Sequence, residues 1–225
     1  MTTRNAIYSA LLAKENFTSV TDPLLGERGF HEGFAHNPNP KLIIEKLGEN
    51  FKIDTASLKK WSVGSPIQSM MDAIEYLLKN NKFDHKDITE LVVDIPSDRY
   101  HIVNDREILS ISAQHLIAVH LIKKKMGYVE AHDEKLFNDP EVVSLRKKIK
   151  AVSSDELAIA RPERQSKIRI KFSNNKELFY HAKSVRGTPD NPMDEKDIVA
   201  KSKRLLEVFK TCLLYTSPSP RDRYG

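Results

Sequence analysis

The sequence holds one cysteine, Cys212, in 225 residues. A single thiol excludes an internal disulfide and a thiolate metal cage. No apolar run approaches the roughly 20 residues that a membrane helix requires. The opening stretch MTTRNAIYSALL has one arginine and no cleavable apolar core, so neither a membrane span nor a secretory leader is expected. Aromatic residues are scarce, at 8%. Basic residues give a net charge of +5, but runs such as IKKKMG and LRKKIK are not interleaved with aromatics. They read as solvated helix faces, and nucleic acid is not an expected partner.

What is present fits a soluble globular chain: 40% hydrophobic and 30% charged residues, in a length that supports one or two cored domains. RNAIYSALLAKENF reads as a helix with Ile7, Leu11 and Leu12 on one side. The Gly- and Pro-rich DPLLGERGFHEGFAHNPNP reads as loop. A short strand is expected at FKIDTA or LKKWSV. The clearest local signal is GSPIQSMMDAIEYLLKNN, with Ser65 as N-cap, Pro66 at the first helical position, and apolar residues from Ile67 to Leu78 at helical spacing. Met70 and Met71 there suit core filling.

ITELVVDIP reads as a strand closed by Pro96. SISAQHLIAVHLIKKK reads as a helix capped by Ser110 or Ser112. NDPEVVSLRKKIK reads as a helix capped by Asp139. KIRIKFSNNKELFYHAKSV alternates as a hairpin that turns at Asn174-Asn175. NPMDEKDIVAKSKRLLEVFK reads as a final amphipathic helix. This order predicts an α+β or α/β unit flanked by helices. Composition and periodicity name no reaction.

The end of the chain reads differently. CLLYTSPSPRD, from Cys212 to Asp222, back-translates without a gap into a sequence that looks like the adapter of transposase-based sequencing libraries. Residues 211–225 are therefore expected to be translated adapter, with native sequence ending near Lys210.

Six segments, in order, resemble the MmgE/PrpD family, which includes 2-methylcitrate dehydratase and cis-aconitate decarboxylase. They are TTRNAIYSALLAKENFTSV; LGERGFHEGFAH, with Gly29, Phe30 and Phe34 in place; KKWSVGSPIQSMMDAIEYLL; SAQHLIAVHLI; NDPEVVSLRKKI; and GTPDNPMDEKDIVAKSKRLLEVF. The resemblance spans nearly all of Thr2 to Lys210. It implies an α+β architecture in which a small α/β domain is flanked by remnants of a large all-helical domain. On that map 1–49 end the first helical part, 50–186 form the small domain, and 187–210 return to the helical domain. The chain then corresponds to a C-terminal fragment that lacks upstream site residues and is inactive alone.

The resemblance also implies a reaction: elimination of water or carbon dioxide from a small di- or tricarboxylate, without metal or other cofactor, by a cytosolic homodimer. Such chemistry needs cations to hold carboxylates, a base, and an acid for the leaving group. Lys59 corresponds to an active-site lysine of the family, and His115 to a tyrosine of its SxQY pattern. Gly64 stands where some decarboxylases have a catalytic histidine, and Gln68 where many members have another. Helix starts at Gly64-Ser65-Pro66 and Ser112-Ala113-Gln114 offer N–H groups and partial positive charge to a carboxylate. The expected site is thus Lys59 and His115 as catalytic residues, with Gly64, Ser65, Gln68 and Gln114 binding substrate. Gly64 also leaves open an isomerase or epimerase of the same family, and a non-catalytic anion-binding or interaction domain is a further alternative. No metal site is expected: His31 and His36, like His115 and His120, are five apart, which on a helix diverges by about 140°.

Overall fold

The computed structural model describes residues 2–27 and 29–208. The adapter-like tail lies outside the described residues. The chain divides into two compact units, with the division between Asp54 and Thr55.

The first unit has α1 (Thr2–Lys14), α2 (Phe30–Phe34) and α3 (Lys41–Ile44). None of its described residues is buried. Ile7, Leu11 and Leu12, the apolar side of α1, are all exposed.

The second unit begins with an irregular stretch and a 3-10 turn at Ser65–Ile67, followed by α4 (Gln68–Asn80) and β1 (Ile88–Pro96). Then come α5 (Ser97–Val103), α6 (Ala113–Lys123), α7 (Tyr128–His132), α8 (Glu134–Phe137), α9 (Pro140–Arg146) and β2 (Ile149–Ser154). It closes with α10 (Asp155–Ile159), β3 (Ser166–Phe172), β4 (Glu177–Ala182) and α11 (Glu195–Val208). This unit is α+β. Its four strands form one mixed sheet in the order β2-β1-β3-β4, with β1 and β2 parallel and the other pairs antiparallel.

The sheet's register explains its core face. Leu91 pairs with Ile170 and Val93 with Ile168. A period of two sends these four to one side, where all are fully buried. Lys167, Arg169 and Lys171 point to the opposite face. Helix α4 lies against β3 and β4, and α6 lies against α4, α9 and β2. Ile67, Met70, Met71, Ile74 and Leu77 supply the buried stripe of the first helical segment. Burying each such side chain is worth roughly 1.5–3 kcal/mol.

Several expectations are met and several are corrected. Asp139 caps α9, its carboxylate accepting from the Glu141 and Val142 N–H groups at 2.9 and 3.2 Å. The hairpin turns at Asn174-Asn175, with Asn175 left-handed at φ 62°. No strand forms at FKIDTA, where Lys52–Thr55 makes a 3-10 turn, or at LKKWSV, where the Trp61 backbone bonds to the Gln68 side chain. Ser65 is not the cap of its helix: Gly64 occupies that position and Ser65 sits inside the 3-10 turn. The sequence reading ran the helix at NDPEVVSLRKKIK as far as Lys150. The helix stops at Arg146, and Ile149 onward pairs with β1.

Candidate active site

The segments before α4 and before α6 meet. The Gly64 N–H donates to the Ser110 carbonyl at 2.7 Å. A Cβ on Gly64 would lie 2.7 Å from Ile111 Cγ2 and 3.3 Å from the Ser110 carbonyl oxygen, so a glycine is what allows the approach. Next along the chain, the Ser65 hydroxyl accepts from Arg164 Nη1 at 2.8 Å. Arg164 is held in a left-handed conformation, φ 66°, which costs a non-glycine residue on the order of 1 kcal/mol. On the other side of Gly64, the Lys59 ammonium donates to the Val63 carbonyl at 3.4 Å. Lys59's own carbonyl accepts from Lys201. Burial, and then the nearby Lys59, hold the Lys201 ammonium below the usual lysine range.

A cleft of about 460 Å³ adjoins this junction, walled by Glu107–Ser110, His132 and Phe137 among others. Phe137, which lines it, also packs near His115, whose imidazole lies 5.5 Å from the Phe137 ring centre. His115 is fully buried, and neither ring nitrogen has a partner. Burial, with Arg146 adding to it, lowers its pKa to about 4. The ring is therefore neutral at pH 7. Leaving a buried polar group unsatisfied costs about 1–3 kcal/mol. The Arg146 guanidinium lies 4.5 Å from the Phe137 ring centre.

Of the two glutamines, Gln68 shares the Val63 carbonyl with Lys59, and Gln114 bonds elsewhere. Gln68 is buried: its carbonyl accepts from the Trp61 N–H, and its amide donates to the Trp61 and Val63 carbonyls at 2.9 and 3.1 Å. Both amide hydrogens are thus used within the protein. Gln114 accepts from the Asp105 N–H at 2.9 Å and donates to Asn104 Oδ1 at 2.6 Å, pinning the turn after α5.

The fold thus brings Lys59, Gly64 and Ser65 together and packs His115 near Phe137 of the adjoining cleft. Gln68 and Gln114 tie down the two flanking turns. Sequence reasoning missed Arg164. It lies 99 residues from Ser65, and RPERQ reads locally as loop, so no local signal could have found it. It also missed Phe137, whose importance comes only from touching both the cleft and His115.

Two cations, Lys59 and Arg164, bond within this junction, while Arg146 stands apart, beside Phe137 and paired with Asp105 at 3.6 Å. The cleft wall itself carries Glu107 and Glu134. Such an arrangement can hold anionic groups at its cationic side and offers a neutral imidazole for proton transfer. Among the described residues no group of three or more His, Cys, Asp or Glu could hold a metal ion, and no helix is long and apolar enough to cross a membrane.

No curated protein matches the chain. The family description that does match is the MmgE/PrpD C-terminal domain, over residues 61–212. That span contains Gly64, Ser65, His115 and Arg164, and most of the second unit. The chain therefore belongs to the MmgE/PrpD family, through its C-terminal domain.

Proposed function

We propose that the protein carrying this chain is a metal-independent lyase, a dehydratase or decarboxylase, for a small di- or tricarboxylate. It works as a cytosolic homodimer, and this chain supplies one side of its site. The observation that carries the reading is the Gly64–Ser110 hydrogen bond. The bond holds the turn that follows Lys59 and precedes Ser65 against Ser110 on the cleft wall, which supports this reading.

In this reading Lys59 and Arg164 hold substrate carboxylates. Arg164 suits the role because a planar guanidinium presents a two-pronged donor. In the dehydratase form His115, as free base, takes the proton next to a carboxylate, the C–H electron pair forms the C=C bond, and the β-hydroxyl leaves as water on receiving the proton from the His115 imidazolium. A second reading, isomerisation by proton transfer without elimination, is favoured by Gly64. The tight approach to Ile111 leaves no room there for an imidazole to protonate a leaving group.

The test is incubation in heavy water with citrate-type hydroxy acids, using the protein extended upstream to include a helical domain. Conjugated alkene is expected, seen by ultraviolet absorbance. Arg164→Ala and Lys59→Ala should each lower kcat/KM about 10- to 100-fold, or roughly 1.4–2.7 kcal/mol. Deuterium uptake without alkene would shift the assignment to the isomerase. Residues 1–210 alone are expected to give no turnover, and turnover from them would refute the need for the upstream part.

A further inference from the structure

A second cleft, of about 580 Å³, is lined by residues of α4, the end of α6, the turn after each, and α11. None of Lys59, Gly64, Ser65, His115 or Arg164 lines it. Its walls carry five cations, Lys79, Lys82, Lys124, Lys125 and Arg204, against one carboxylate, Glu75. That carboxylate is already shared. Glu75 pairs with Lys60, and with Lys79 at 3.1 Å. Burial pushes its pKa up, but these lysines outweigh burial and keep it below the usual range. Lys125 pairs with Glu130 at 2.8 Å. Among the described residues Lys82, Lys124 and Arg204 form no ion pair within 4 Å, although the Lys124 charge acts on the Asp84 carboxylate.

Two further features mark the cleft as built. Lys124 ends α6 in the left-handed region, φ 53°. Glycine is the usual residue there, and a lysine costs on the order of 1 kcal/mol. The strained position puts an ammonium without a close ion pair on the cleft lining. On the wall, His120 is 2% exposed and its Nδ1 has no partner. Its ring packs against Trp61, 5.2 Å between centres. Leu78, Phe83 and Met126 complete an apolar lining. The volume falls within the roughly 300–1,000 Å³ of small-molecule sites.

We propose that this cleft is an anion site, separate from the candidate active site, for an organic phosphate of about nucleotide size. The phosphates sit among Lys82, Lys124 and Arg204, and the apolar or aromatic body rests on Leu78, Phe83 and Met126. Two lysines and one arginine without close ion pairs suit a multiply charged tetrahedral group, for which lysine serves as a point charge. A compact carboxylate would leave the apolar lining unused.

Trp61 is the chain's single tryptophan, and it lines this cleft, so its fluorescence reports occupancy directly. The full chain is titrated with ADP, pyrophosphate and citrate. ADP is expected to change Trp61 emission saturably, and affinity should fall about tenfold or more in high salt, where surface charges are screened. The double variant Lys82→Glu/Lys124→Glu should weaken binding at least about tenfold. Both side chains are exposed, and circular dichroism checks that the variant stays folded. Absence of saturable change, or a change that survives the charge reversal, would overturn the site. Pyrophosphate binding as tightly as ADP would overturn the role given to the apolar lining. Citrate binding tightest would overturn the phosphate assignment. Lys59→Ala and Arg164→Ala leave this titration unchanged, which separates its failure from failure of the lyase reading.

Discussion

Gln68 shows how a residue's meaning depends on what its side chain reaches. The family resemblance implies for it a position where many members have a histidine, and the sequence puts it at the start of a helix. Folded, its amide holds the Trp61–Val63 turn through three hydrogen bonds. That turn also carries Trp61, whose indole N–H donates to Asp72 at 2.7 Å. Asp72 accepts as well from the Arg186 N–H at 2.8 Å, and burial raises its carboxyl above the usual range despite these bonds. Gln68→Ala would strand the Trp61 N–H and carbonyl, at about 1–3 kcal/mol for each group left unsatisfied, while the Val63 carbonyl keeps the Lys59 ammonium. Urea denaturation should show a loss of about 2–4 kcal/mol in total, since relaxation and water recover part of that cost. A loss below 0.5 kcal/mol would mean the turn holds without the amide. None of this was legible in the sequence, because Gln68 bonds to backbone groups that any residue presents. Gly64 was partly legible: its departure from histidine is visible in the sequence, but the 2.7 Å approach to Ile111 that requires a glycine is not.

At the scale of elements, periodicity was informative where one face is buried. In β3, Ile168 and Ile170 alternate with Arg169 and Lys171, and the sheet buries the first pair and exposes the second. Ile168→Ala should cost about 2–4 kcal/mol through lost burial and a cavity. Arg169→Ala should stay within about 0.5 kcal/mol. Comparable losses for the two would contradict the register. Elements without such alternation were misread. IKAVSS follows a strongly helical stretch and shows no clean alternation, yet it becomes β2 because β1 offers it an unpaired edge. LKKWSV has strand-like composition but no strand to pair with. The sequence also left out the short α5, α7, α8 and α10, each of seven residues or fewer, which are shorter than a helical pattern needs to declare itself.

At the scale of the whole molecule, the two buried histidines of α6 link stability to pH. Burial lowers His115 and His120 to about 4, from 6.5. For His115 Arg146 adds to the effect, while for His120 Glu75 and Glu130 oppose it and Lys60 reinforces it. A histidine whose folded pKa is depressed binds its proton more readily when unfolded. Stability is therefore full above about pH 6.5 and falls as pH drops toward 4, by on the order of 2–3 kcal/mol for each histidine. Thermal melts at pH 7 and pH 4.5 check this. His120→Gln should remove about half of the dependence, and an equally steep fall in that variant would show that His120 does not contribute.

The sequence by itself determined the local features: the amphipathic stripes of α4 and β3, the Asp139 cap, the hairpin turn, and the family resemblance, later matched over 61–212. These depend on residues a few positions apart, or on ordered segments, and a linear text preserves both. Tertiary structure decided the rest. It joined Gly64 to Ser110 and Ser65 to Arg164, packed His115 near Phe137, and gathered five cations from α4, α6 and α11 and their neighbouring turns around one cleft. Each of these results depends on distances between residues far apart in the chain. Those distances are fixed by how the helices pack on the sheet, and no spacing in the sequence encodes them.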